Sequence, residues 1–161
     1  MSDVSQSYIQ ELFEYRDGNL YWAVKFTDKI QVGNIVGHIN KGRRYTKLNG
    51  KDYQISRLIF MYHYGYFPKF VDHIDGNPLN NKIENLRSCT LAENARNSKA
   101  PRTNTSGEKN VRWEEKRKKW KVEIRVDNKY KCIGRFDDLE LASLVAQESR
   151  NKYHKEFARH E

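Results

Sequence analysis

Hydrophobic and polar positions alternate along this chain in three textures. Residues 1–70 carry short apolar runs separated by turn residues, which predicts short strands and one helix. LYWAV (20–24) follows the turn Asp17-Gly18-Asn19. RRYTKL (43–48) and KDYQI (51–55) flank Asn49-Gly50, a pair that favours φ > 0 at both positions and so predicts a two-residue hairpin. In SRLIFMYHYG (56–65) the positions Leu58, Ile59, Met61 and Tyr62 predict a helix with a buried face. Ser56 is its expected N-cap and Gly65 its C-terminal stop. The stretch 98–109, SKAPRTNTSGEK, is polar and aperiodic and reads as a linker.

Residues 110–161 form a self-contained pattern. NVRWE begins a first strand. KWKVEIRV (119–126) alternates, with Trp120, Val122, Ile124 and Val126 on one face and Lys119, Lys121, Glu123 and Arg125 on the other. Asp127-Asn128 is the expected turn into KYKCIGRF (129–136). Asp137 with Glu140 three residues later predicts a capping box for a helix of about 15 residues, with Ala142, Val145, Ala146, Ser149 and Tyr153 along one side. Three antiparallel strands with a helix across one face is the simplest closed solution.

Between these halves lies VDHIDGNPLNNKIENLRSCTLAEN (71–94), with one histidine, two aspartates and five asparagines. Asparagine favours neither helix nor strand, so packing alone does not call for so many. Phe70–His73 predicts a short strand and Asp75-Gly76-Asn77-Pro78 a turn, with Leu79, Ile83 and Leu86 anchoring a return strand. Thr90 with Glu93 predicts a helix start, placing Asn94 in the first turn. Strand, loop, strand and helix bring Asp72, His73, Asn85 and Asn94 within reach of one another. Those residue types suit metal-assisted phosphodiester hydrolysis. An imidazole can take a proton from water near neutral pH, and hard oxygen ligands suit Mg²⁺.

Charge narrows the partner. Lys and Arg number 30 against 21 acidic residues, for a net +9 and a pI near 9.5. Such a balance points to an anionic partner, and nothing resembles a membrane span or a leader peptide, so nucleic acid is preferred to a membrane. Two separated cysteines, Cys89 and Cys132, and histidines scattered at 38, 63, 73, 154 and 160 exclude a four-ligand structural zinc site. Residues 109–135 hold 11 Lys/Arg against 4 Asp/Glu, mostly on predicted strands. A two- or three-stranded ribbon of this kind fits the major groove of duplex DNA.

The string DHIDGNPLNNKIENLR followed by T-x-x-EN-x-RN resembles HNH endonucleases of the phage and intron homing type. The resemblance extends upstream through LFEYRDGNLYW, GNIVGHIN and SRLIFMYHYG. It departs at Ser56, where family members often have a histidine. The resemblance implies an α+β chain with a ββα-metal (His-Me finger) module. His73 would be the general base, Asn85 would orient it by bonding the loop and the imidazole, and Asp72 with Asn94 would ligate one divalent cation. Asparagine at the third signature position implies Mg²⁺ or Mn²⁺ rather than Zn²⁺. Arg87 and Arg96 are candidate phosphate contacts.

Residues 104–158 resemble the APETALA/ERF-type DNA-binding domain through NVRW, KWKVEIR, IGRFDD and KYHKEFA. By that resemblance Arg112, Lys121, Glu123 and Arg125 face DNA and Trp113 lies against the sugar-phosphate backbone. The expected organisation is therefore an HNH module over 1–97 with N-terminal β-hairpins, its ββα motif at about 70–97, a linker over 98–109, and a three-stranded antiparallel sheet plus one helix over 110–161. The expected function is metal-dependent cleavage of double-stranded DNA, as a monomer nicking one strand per active site, in the host-cell cytoplasm. The alternative is a DNA-binding regulator without catalysis.

Overall fold

A computed structural model describes residues 4–25, 27–97, 100, 103–127 and 129–160. Asn128 of the expected turn, and Ser98, Lys99, Pro101 and Arg102 of the expected linker, lie outside these. By its contacts the chain divides into two units, residues 1–90 and 91–161. No helix among the described residues is long and apolar enough to cross a membrane.

Three tight hairpins in the first unit follow one local rule. Strands β1 (Phe13–Arg16) and β2 (Asn19–Trp22) turn at Asp17-Gly18; β3 (His38–Asn40) and β4 (Arg43–Leu48) turn at Lys41-Gly42; β4 and β5 (Lys51–Gln54) turn at Asn49-Gly50. Each turn puts two consecutive residues at positive φ, 44° and 83°, 47° and 74°, 49° and 78°, the backbone that matches strand twist in a two-residue loop. Helix α1 (Gln6–Leu12), which the sequence pattern did not announce, is capped by Ser5 Oγ accepting from the Tyr8 N–H at 3.2 Å. Its Gln6 and Gln10 side chains both donate to Tyr62 O, at 3.0 and 2.9 Å. They satisfy a carbonyl that helix α2 (Ile55–Tyr64) cannot bond itself.

Helix α2 is the core of this unit. Ile9, Leu48, Ile55, Leu58 and Ile59 are wholly buried and pack with Phe13, Leu20 and Trp22; burying each such side chain contributes about 1.5–3 kcal/mol. Gly65 ends the helix in the left-handed conformation (φ 75°), as expected, and its N–H donates to Met61 O. The N-terminus corrects the sequence reading. The cap position is Gln54, and Ser56 lies inside the helix, 2% exposed, because β5 runs directly into α2 without a loop. Against this helix rest β6 (Phe70–His73) and, after a 3₁₀ turn at Ile83–Asn85, β7 (Leu86–Cys89), paired antiparallel with Asp72 opposite Arg87 and His73 opposite Leu86. Ile83 and Leu86 anchor the return strand, but Leu79 is 45% exposed and anchors nothing.

The second unit begins with α3 (Leu91–Arg96). Its sheet, β8 (Val111–Glu114), β9 (Lys119–Val126) and β10 (Lys129–Phe136), has β9 in the centre, and α4 (Leu139–His154) crosses one face. Val111 and Val122 meet Ala142 and Ala146 there. The helix cap is Asp138, whose carboxylate accepts from the Leu141 N–H at 2.7 Å, not Asp137, which is drawn away by Lys119 at 3.0 Å.

Candidate active site and nucleic-acid interface

The loop after β6 is held by its own polar side chains. Asp75 is the hub: its carboxylate accepts from the Asn77 N–H (2.8 Å), Asn80 Nδ2 (2.7 Å) and Asn85 Nδ2 (3.0 Å). Asn85 Oδ1 in return accepts from the Asp75 N–H at 3.0 Å, and Asn85 Nδ2 also reaches Asn80 O at 2.7 Å. Asn77 Oδ1 takes the Leu79 N–H at 3.1 Å. Burial pushes the Asp75 carboxyl upward, but the bonds from Asn80, Asn77 and Asn85 outweigh it and hold the group below its ordinary range. From outside the loop, Tyr15 Oη accepts from the Ile83 N–H at 3.0 Å, while the Tyr15 ring packs edge-on against His63.

His73 stands at the end of β6, 4% exposed. Its Nε2 lies 2.9 Å from Asn81 Oδ1, and Asn81 is itself buried, with Nδ2 turned to Leu79 O. An amide oxygen can only accept, so Nε2 carries the proton and the ring's lone pair sits on Nδ1. Burial pushes the imidazole below its ordinary pKa. The Asn81 bond opposes that, the Arg43 charge adds to it, and Asp75 and Asp72 oppose it more weakly. The ring is therefore neutral at pH 7, the form a base requires.

Asp72, the preceding residue, is buried as deeply. Ideal pleating sends neighbours to opposite faces, and here both faces of β6 are covered. The Asp72 carboxylate Oδ2 accepts from Arg87 Nε and Nη2, at 2.8 and 2.7 Å, across the strand pair. Arg87, expected on DNA phosphate, is thus an inward partner of Asp72. Asn85, expected to hold both loop and imidazole, bonds the loop; the ring's amide partner is Asn81, which the sequence reading left among the turn residues. No local signal distinguishes those neighbouring asparagines, because the choice depends on how the loop closes.

Asn94 lies half-buried on α3, in the second unit. Among the described residues no three His, Cys, Asp or Glu side chains gather as a metal cage. The donors that the sequence singles out, one carboxylate and one amide oxygen, fit a hard cation that takes most of its shell from water and phosphate oxygens.

On the second unit, the sheet face away from α4 is cationic. Arg112, Lys121 and Arg135 stand abreast across β8, β9 and β10. Like charges in register are unfavourable, and two glutamates interleave them. Glu123 takes Lys121 and, at 3.5 Å, Arg112; Glu114 takes Arg135 at 2.5 Å and Arg117 at 2.9 Å. Arg125 lies 5.9 Å from the centre of the Tyr130 ring. Arg112, Lys121, Glu123 and Arg125 therefore share one surface. Trp113 belongs to the other side, edge-on to Trp120 at 5.0 Å, with its indole N–H donating to Glu115. At the start of this unit Lys109 Nζ donates to Arg96 O at 2.8 Å, completing the last turn of α3. Burial, with the nearby Arg150 and Arg159 charges, pushes the Lys109 amine down to about 8.

A model of the HNH endonuclease family matches residues 53–96, the span from β5 through α3. Protein 3.8 of Escherichia phage T7 is 38% identical over 97 residues, which cover 59% of this chain and 79% of that protein. No solved structure matches this chain.

Proposed function

The chain belongs to the HNH endonuclease family, and on that premise we propose that it is a divalent-metal-dependent, homing-type endonuclease that hydrolyses phosphodiester bonds of duplex DNA. The observation that carries this reading is the buried, neutral His73 with Nε2 committed to Asn81. His73 Nδ1 takes a proton from water as the water oxygen attacks phosphorus. The bond to the 3′-oxygen breaks, leaving a 5′-phosphate and a 3′-hydroxyl. Asn81 fixes the tautomer, and Asn85 with Asp75 keeps the loop from shifting the ring. Arg87 holds the Asp72 carboxylate in place. Asp72 and Asn94 would hold the cation, Mg²⁺ or Mn²⁺, which when bound supplies positive charge to the phosphoryl oxygens and the leaving oxygen.

The cationic face of β8–β10 docks the duplex through Arg112, Lys121 and Arg125, with Glu123 orienting two of these, and Arg96 adds a phosphate contact. The resemblance of residues 104–158 to APETALA/ERF-type domains supports that role. One active site per chain makes the enzyme a monomer that nicks, working in the cytoplasm of a phage-infected host.

Supercoiled plasmid incubated with Mg²⁺ tests the reading. Nicking is expected with the intact chain, is lost in EDTA, and falls roughly 10²–10⁴-fold in His73→Ala while duplex affinity is retained. Equal nicking by His73→Ala would remove the histidine from the chemistry. Undiminished nicking in EDTA would remove the metal.

A further inference from the structure

A cleft of about 490 Å³ opens in the second unit, and that unit supplies all its walls. Ala92, Ala95 and Arg96 of α3 stand on one side. Arg112, Glu123 and Arg125 of the cationic sheet face stand on the other, with Tyr130 beside Arg125. Buried His154 closes part of the floor; its Nε2 bonds Arg125 O at 3.1 Å, and its Nδ1 has no hydrogen-bond partner among the described residues.

The volume is that of a site for a whole small molecule. A lone phosphate would leave the alanine wall against water. The walls ask for a ligand with an anionic end and a flat, weakly polar body. The one carboxylate among the sheet residues named, Glu123, is already engaged by Lys121 and Arg112, so the cleft presents excess positive charge. Arg112, Glu123 and Arg125 belong both to this cleft and to the face proposed to dock DNA, so the cleft continues that surface rather than forming a separate one.

We propose that the cleft receives a single unpaired nucleotide of the bound DNA strand. Its base lies against Ala92, Ala95 and the Tyr130 ring, and its phosphate is held by Arg112 and Arg125. The inference rests on the reading of the sheet face as the DNA-docking surface. It adds a preference for duplexes that carry an extrahelical base.

The full chain is titrated with a duplex bearing one bulged 2-aminopurine and with its fully paired counterpart. The bulged duplex is expected to bind about tenfold more tightly, the scale of one base stacked on one aromatic ring, with a change in 2-aminopurine emission. Ala95→Phe and Ala92→Phe place a ring in the cleft at positions that are solvent-exposed, so the fold should survive, as a melting curve checks. In either variant the affinity ratio should fall to about one. Free deoxyadenosine monophosphate separates a site for DNA from one for a loose nucleotide: no displacement of the bulged duplex at micromolar concentration supports the proposal, and displacement overturns it. Equal affinity for the two duplexes, or a ratio unchanged in both filled variants, also overturns it while leaving DNA docking intact. Failure to bind even the paired duplex would sink the docking reading, and the cleft proposal with it.

Discussion

Around His73 the polar groups are neutral amides, one shared carboxylate and one buried ion pair; across the outer face of β9 they are full charges in water. The first arrangement fixes atoms. Asn80, Asn81 and Asn85 donate and accept at 2.7–3.0 Å within one loop, and a site buried in this way does not relax easily. The second arrangement stores charge. Its ion pairs lie on exposed side chains such as Lys118 with Glu115, where water and salt weaken them. A hydrolytic centre needs the first kind of environment and a strand-docking surface the second.

Breaking one ion pair in each region gives the largest contrast. Arg87→Ala removes the partner of a carboxylate only 5% exposed, and denaturant unfolding should show a loss of about 3–5 kcal/mol. Lys118→Ala should cost less than about 1 kcal/mol in the same measurement. Similar losses in both would mean that Asp72 is solvated in solution.

A smaller effect sharpens the chemical side. Asn81→Ala should slow cleavage on the order of tenfold or more, because the ring loses its fixed tautomer. The active form is the neutral one, so activity falls as pH drops through the folded pKa, which lies below the ordinary 6.5. Since the Asn81 bond raises that pKa, its removal should move the acid limb of the pH–rate profile to still lower pH. Asn85→Ala, which touches the loop and not the ring, should lower stability without moving that limb. A limb that moves in Asn85→Ala and stays in Asn81→Ala would reverse their roles.

The smallest effect lies on the sheet. Arg125→Ala should weaken duplex binding and reduce the slope of log affinity against log salt by about 1, with cleavage at saturating DNA unchanged. An unaltered slope would take Arg125 off the phosphate backbone.

Much of this was legible in the sequence where the cause is local. Asn49-Gly50 makes its hairpin and Gly65 its helix end because sterics at a few backbone angles decide both. The alternation of residues 119–126 yields the apolar face that meets α4 because a strand has only two faces. Ser56 and Asp137 are good caps in isolation, but the real boundaries fall elsewhere because β5 continues into α2 and Lys119 claims Asp137. The partner of His73 was not legible at all. Asn81 and Asn85 are chemically identical, and only the fold of the ten residues between His73 and Ile83 tells which amide meets the ring.

Helix α3 follows β7 after the single residue Thr90, yet its contacts count with the residues that come after it, and Lys109 closes its final turn. An engineer wishing to retarget the enzyme by exchanging everything beyond residue 98 would therefore strip that helix of its supports. Grafted specificity would arrive with a misplaced Asn94, so a transplant has to carry the seam from residue 91 onward or lose the scissors along with the old address.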